Sequence, residues 1–141
     1  MSLMKVMDIA GSAMSAQSVR LNTVASNLAN ADSITSSAET TYKARRPVFA
    51  AMLEQARSST QISAASSGVR VAGIVESDAP ALREYNPNHP LANEDGYIFR
   101  PNVNTVEEMA DMMSASRSYQ TNVQIADVAK TLLAQTLRIG K

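Results

Sequence analysis

The chain contains no cysteine and no tryptophan. The missing thiols exclude disulfides, cysteine nucleophiles and thiolate metal sites. A single histidine, His89, leaves no multi-histidine metal site and nearly excludes a histidine-based triad. Aromatic residues make up only 4% of the 141 residues, so packing has to rest on smaller and more flexible side chains. There is no excess of either charge: 13 Lys+Arg face 13 Asp+Glu. That balance speaks against a nucleic-acid binder, which needs basic excess to neutralise phosphates, and against a polybasic membrane surface. No apolar run approaches the roughly 18 residues of a membrane span. Lys5 and the apolar residues after it could open a signal peptide. Asp8 falls where such a segment must be apolar, and Gly11, Ser12 and Ser15 dilute the rest. The expectation is a chain that stays in the cytosol or leaves it without a cleaved signal.

What is abundant is small or adaptable: 22 alanines, 17 serines and 8 methionines. The length suits one ordinary domain, able to bury roughly 70% of its unfolded surface. Two long helical patterns frame the chain. From Leu3 to Ala31 there is no proline and one glycine, and Met7, Met14, Leu21 and Leu28 recur every seven residues. A second line holds Leu3, Ala10, Gln17, Val24 and Ala31, so the two form an a/d pattern broken mainly at Gln17. Ser2 can cap the start and Asn30 can close the end. At the other end, Thr105 followed by Glu108 reads as a capping box. Glu107, Glu108 and Asp111 near the start, with Lys130, Arg138 and Lys141 near the end, suit the helix dipole. No proline or glycine interrupts Val106 to Ile139. This segment carries two apolar lines. One is Met112, Tyr119, Val123, Ala126, Leu133 and Leu137. The other is Ile125, Val128, Leu132 and Ile139. Two lines imply contact on more than one side. The remaining positions are mainly Ser, Thr, Asn and Gln, which allow close helix approach where a solvated coiled coil would carry Glu and Lys.

The middle changes character. Asp32 to Thr41 is polar and reads as a loop, and Arg57 to Gly68, with five serines, as a second flexible stretch. Between them, Tyr42 to Leu53 carries a basic cluster, Pro47 and an apolar run. Val69 to Glu76 alternates as a strand does, and Ala81 to Tyr85 could pair with it. Asn86-Pro87-Asn88-His89-Pro90 is turn chemistry, and Gly96 to Phe99 reads as a third short strand. The expected fold is therefore mainly α with a small β-element: long N- and C-terminal helices paired as an antiparallel coiled coil, with short strands between them. The expected divisions are 1–31, 32–104 and 105–141.

Candidate chemistry is sparse. Lys43, Arg45 and Arg46 could hold an anion, but beside a strand in a neutral chain they read as a solvated or partner-facing patch. His89 lacks an identifiable nucleophile and reads as a turn residue. Asn86, Asn88, Asn93, Glu94 and Asp95 before Gly96 do not match the calcium-loop series of an EF-hand. Glu107 and Glu108 diverge by about 100° on a helix and cannot face one substrate. Met7, Met14, Met109, Met112 and Met113 could ligate a soft metal, but methionine at helical spacing is far more often packing. No catalytic residue, cofactor or metal is expected, and no small-molecule substrate.

The two ends also carry recognisable motifs. Ser26-Asn27-Leu28-Ala29-Asn30-Ala31 resembles the signature closing the N-terminal helix of the bacterial flagellar rod and hook axial proteins. Gly96-Tyr97, Pro101-Asn102-Val103-Asn104-Thr105-Val106-Glu107-Glu108-Met109 and Ser116-Arg117-Ser118-Tyr119-Gln120-Thr121-Asn122-Val123 resemble the C-terminal signature of the same family. Gly73-Ile74-Val75-Glu76 and the Tyr85 to Pro90 turn are similar to the proximal rod type within it. Many hook and distal rod relatives continue the first motif with Thr-x-Gly-Tyr-Lys; here Asp32 to Thr41 intervenes before Tyr42-Lys43, and that glycine is missing. The resemblance covers essentially the whole chain. Its motif residues here are Asn27, Asn30, Pro101, Asn102, Asn104, Glu107, Glu108, Arg117, Tyr119 and Asn122.

The resemblance implies a structural subunit of the periplasmic rod of the flagellar basal body. Such a subunit polymerises helically into the hollow drive shaft that transmits torque and encloses the export channel. Its two terminal helices would form the inner tube, with the middle segment outside. The implied partners are copies of itself, other flagellar rod proteins and the flagellar type III export apparatus, which takes its substrates without a cleaved signal. The apolar positions expected to meet neighbouring subunits are Met7, Met14, Leu21, Val24, Leu28, Met109, Met112, Tyr119, Val123, Ile125, Leu132, Leu133 and Leu137. An alternative of a different class is a coiled-coil adaptor or secretion chaperone, folded as a small closed oligomer.

Overall fold

The computed structural model describes residues 3–53 and 66–139. The proposed Ser2 cap, Lys141, the side chain of Ile139 and most of the serine-rich stretch from Arg57 lie outside the described residues. Helix α1 spans Leu3–Asn30 and helix α2 spans Thr105–Ile139. Neither contains proline, and Gly11 is their one glycine, so both backbones propagate without a break. At 1.5 Å per residue they are roughly 42 and 52 Å long.

The helices lie against each other in opposite senses. Asn27 touches Glu108, Arg20 pairs with Asp111 at 2.9 Å, and Leu3 and Val6 share a groove with Ile125, Val128 and Leu132. Their interior is made of small residues: Ala10, Val24 and Ala31 are buried, and so are Ala115 and Ala129 across from them. Among residues with a Cβ, alanine holds backbones apart least, which explains why a chain poor in aromatics can still close this seam.

Of the two expected lines on α1, the one through Ala10, Val24 and Ala31 enters the interior, while Met7, Met14, Leu21 and Leu28 are only half-buried. The break in the buried line, Gln17, keeps its Oε1 buried with no hydrogen-bond partner among the described residues. The asymmetry has a cause: α1 also covers the β-element. Ala16 and Thr23 are buried on that side, and Val19, Thr23 and Ser26 line a hollow with Arg45 and Ile74.

Strands β1 (Arg45–Leu53) and β2 (Ser66–Glu76) form an antiparallel ribbon. Pro47 sits opposite Ile74, which a two-stranded ribbon tolerates because each strand has one free edge. A bulge leaves Ala72 without a partner residue, between the Val48–Gly73 and Phe49–Val71 pairs. Strands β3 (Leu82–Tyr85) and β4 (Tyr97–Arg100) form a second antiparallel ribbon. The expected pairing of Ala81 to Tyr85 with the Val69 to Glu76 strand is thus corrected. The turn-rich connection after Tyr85 returns the chain beside β3, and the less obvious Arg45–Leu53 takes the place against β2. The 32–44 connection is tied down too: Thr35 exchanges two 3.0 Å backbone hydrogen bonds with Phe99, and the buried Thr41 has its hydroxyl 2.6 Å from that of Thr35.

The first ribbon is seated on α1 at Gly68. Its φ of 149° is a conformation that side chains disfavour, and a Cβ there would lie 2.5 Å from Ser12 Oγ. That hydroxyl accepts from the Val69 amide at 3.2 Å. Gly68→Ala should therefore lower the unfolding free energy by about 1–3 kcal/mol, through strain and displacement of Ser12. Urea denaturation of the two chains checks it.

Candidate functional site: a polar junction and an exposed helix face

Where α1 ends, α2 begins and β1 enters, polar side chains replace the alanines. Asn27 is fully buried, and all its hydrogen-bonding capacity is used. Its Nδ2 donates to the Arg45 carbonyl at 2.8 Å and to Glu108 Oε2 at 3.1 Å. Its Oδ1 accepts from the Arg45 amide and from the Tyr42 hydroxyl, both at 2.9 Å. Because the Tyr42 proton goes to Asn27, the Ser26 hydroxyl 3.2 Å away is the donor in its contact with Tyr42. Glu108 is 3% exposed. Such burial is tolerated only with hydrogen-bond partners, and Asn27 supplies one.

A second asparagine holds the same strand from the other side. Asn102 Oδ1 accepts from the Ala44 amide at 2.8 Å and its Nδ2 donates to the Ala79 carbonyl at 2.7 Å. The Ala44 carbonyl accepts from Ser77 N at 2.8 Å. Pro101, also fully buried, carries the chain from β4 to α2. Around this junction the charges are paired: Arg45 with Glu76 at 3.0 Å, Arg46 with Glu107 at 2.7 Å and Arg100 with Asp32 at 2.9 Å. The hydrogen bond from Glu107 holds the Arg46 guanidinium above its ordinary pKa; slight burial opposes this and the attraction of Glu107, Glu108 and Asp111 adds to it. Arg45 and Arg46 are therefore not free anion ligands.

The expected capping box is corrected here. Asn104 is the cap: its Oδ1 accepts from the Val106 amide at 3.1 Å and the Glu107 amide at 3.4 Å, and its carbonyl accepts from Glu108 N. The Glu108 side chain is turned to Asn27 and does not reach back along its own helix. Asn104→Ala should cost about 1 kcal/mol. The thermal midpoint should fall by several degrees, and an unchanged midpoint would deny the cap. At the other helix end Asn30 is the last residue of α1, and its Nδ2 donates to the Ser26 carbonyl at 2.8 Å.

Not every motif residue gathers at the junction. Arg117 and Tyr119 are exposed farther along α2, and Asn122 only bonds the Ser118 carbonyl of its own helix. Tyr42 and Arg45, which complete the coordination of Asn27, were not expected. The signal for Asn27 itself was present: it stands three residues after Val24 and four before Ala31, a polar residue on the buried stripe.

The second feature is apolar. Val106, Met109 and Met113 expose more than half their area on the first turns of α2. Toward its end, Ile125, Val128 and Leu132 are exposed and, with Leu3 and Val6, border an open groove of about 280 Å³ with almost no polar lining. Leu137 is 69% exposed. Of the other expected contact residues, Met112, Val123 and Leu133 are half-buried, whereas Val24 is already covered inside the chain. His89 is a turn residue whose Nδ1 accepts from the Leu91 amide at 3.1 Å. Among the described residues no cluster of His, Asp or Glu could hold a metal ion, and no helix is long and apolar enough to cross a membrane.

The sequence that builds these features is similar to those of named proteins. A family model described as flagella basal body rod protein matches residues 7–36, and one described as flagellar basal body rod FlgEFG protein C-terminal matches residues 94–139. The flagellar basal-body rod protein FlgC of Escherichia coli O6:H1 is 46% identical over 141 residues, covering all of both chains. That of Salmonella typhimurium is 45% identical over 145 residues, again covering both fully. The Bacillus subtilis protein of the same name is 36% identical over 144 residues and 96% of each chain. These relatives favour a structural rod protein over an adaptor, a chaperone or an enzyme. With full-length identity far above what shared fold alone requires, the chain belongs to the FlgC family of flagellar basal-body rod proteins.

Proposed function

We propose that this rod subunit polymerises through its helix pair. Residues 1–31 and 105–141 form an antiparallel coiled coil in the inner wall of a hollow periplasmic rod, and residues 32–104 lie outside it. The observation that carries this reading is the uncovered apolar face of α2. A 35-residue helix that buries alanine on one side and presents Val106, Met109, Met113, Ile125, Val128 and Leu132 on others needs more than one neighbour. The Val106, Met109 and Met113 patch and the groove bordered by Leu3, Val6, Ile125, Val128 and Leu132 are different surfaces, so contact of one with the other between subunits is heterologous and builds an open helix instead of a closed dimer. At about 25 cal/mol per Å² of apolar surface, burial against several neighbours exceeds the stability of one small domain and gives the rod its stiffness.

Met7, Met14, Leu21, Leu28, Met112, Tyr119, Val123, Leu133 and Leu137 complete the contacts, with other rod proteins as neighbours at the two ends of the stack. The flagellar type III apparatus delivers the subunit in this account. The test is genetic and compositional. In a strain lacking its own copy, this chain should restore motility and be found by mass spectrometry in isolated rods. A chain that restores motility while staying in the soluble fraction would contradict the reading.

A further inference from the structure

We infer that Asn27 and Asn102 form a clamp that couples docking of the β1–β2 ribbon to pairing of the two helices. The inference stands on junction geometry and is independent of how subunits assemble. The side chains at the entry of β1 are held by the exposed Arg45–Glu76 and Arg46–Glu107 pairs, but its backbone depends on the asparagines. Ala44 and Arg45 present amides and carbonyls where the chain leaves the 32–44 connection, and three of these four groups bond to asparagine side chains: Arg45 N and O to Asn27, and Ala44 N to Asn102. Asn27 belongs to α1, while Asn102 stands two residues before the cap of α2. The backbone entering the strand is thus gripped once from α1 and once from the segment that leads into α2.

The grip is coupled across the helix pair because Asn27 is saturated. One Nδ2 proton serves β1 and the other serves Glu108 of α2. Asn27 can therefore satisfy both only when α1, α2 and β1 are together. Without α2, the Asn27 amide loses its acceptor on one side, and β1 loses Asn102 on the other. A buried polar group that cannot be satisfied piecewise makes an arrangement all-or-none, and unsatisfied intermediates are penalised. Beyond the part-exposed Arg20–Asp111 pair, the surrounding seam supplies little such discrimination, since alanine against alanine tolerates sliding. The junction accordingly sets register for the helices and orientation for the ribbon at once. The two amide side chains thus add a coupling to α2 to the seat that the ribbon already has on α1 at Ser12 and Gly68.

The test is residue-resolved hydrogen exchange on the full chain, read at ladder amides of 46–52 and 69–75 that touch neither asparagine. Asn27→Asp removes both donors and sets a carboxylate against Glu108. It should speed exchange of the ribbon about tenfold or more. Glu108→Gln lies on α2; its side chain bonds Asn27 and only borders a hollow with Arg46, Pro47 and Phe49 of the ribbon, a neighbourhood that the isosteric Gln keeps. Alone it should change ribbon exchange less than about twofold, because its oxygen still accepts from Asn27. Combined with Asn27→Asp it should recover at least about threefold of the lost protection, because a Gln amide can donate to Asp. Should Asn27→Asp fail to fold, Asn102→Ala carries the test, loosening the same ribbon amides while α1 residues 10–20 keep their protection. Ribbon exchange unaltered by both Asn27→Asp and Asn102→Ala, or an Asn27→Asp defect that Glu108→Gln leaves unrelieved, would overturn the clamp.

Discussion

Replacing Asn27 with alanine should cost the folded chain about 3–5 kcal/mol, the largest stability loss expected of any single polar substitution here. Four groups lose a partner at once: the Arg45 amide and carbonyl, the Tyr42 hydroxyl and the Glu108 carboxylate. A buried polar group left unsatisfied costs roughly 1–3 kcal/mol, more if charged. The full sum is not reached, because Tyr42 is half-buried and water can serve it. The Glu108 carboxylate, at 3% exposure, has least recourse and dominates. Urea denaturation of both chains at one pH measures the loss. A change under about 1 kcal/mol would mean that the junction relaxes and that its hydrogen bonds hold little. By contrast, Asn30→Ala, which removes one bond to a helix-terminal carbonyl, should cost about 1 kcal/mol or less.

The largest functional effect is expected from a charge on the uncovered face. Val128→Asp and Ile125→Asp place carboxylates at positions 59% and 42% exposed in the single chain. There the charge stays in water, so stability should move by no more than about 1 kcal/mol. In a rod the same carboxylate would be enclosed by apolar neighbours, at several kcal/mol for every subunit added. Motility should be lost while the protein is made normally and its soluble form melts near the wild-type temperature. Basal bodies with complete rods in either variant would show that this part of α2 faces open space.

Much of the fold was legible because helix signals are local. The proline-free ends, their heptad spacing and the acidic start of α2 all lie within a few turns. Strand β1 was not legible, since Pro47 and the basic Lys43 to Arg46 cluster mask its pattern, and what makes it a strand is β2 some twenty residues away. The partner of β3 failed for a related reason: alternation says which face a residue takes, not which strand lies beside it. The cap of α2 moved by one residue, from Thr105 to Asn104, because both carry an oxygen able to accept and only the backbone decides between them. The junction was half visible. Asn27, Asn102 and Glu108 stood out as motif residues, but nothing local reveals that Asn27 meets Glu108, 81 positions away. The apolar face of α2 was half visible too. Ile125, Val128 and Leu132 stood on one of its two apolar lines, whereas the exposed Val106, Met109 and Met113 stood on neither.

Because the chain has no cysteine, one introduced thiol is a unique reporter of what covers that face. The decisive measurement is maleimide labelling of Met113→Cys and Val128→Cys in the soluble chain and in isolated basal bodies. Helices packed as the inner wall of a rod predict rapid labelling of both soluble proteins and near-complete protection of both in basal bodies. Equal labelling in the two states would contradict the assembly through α2.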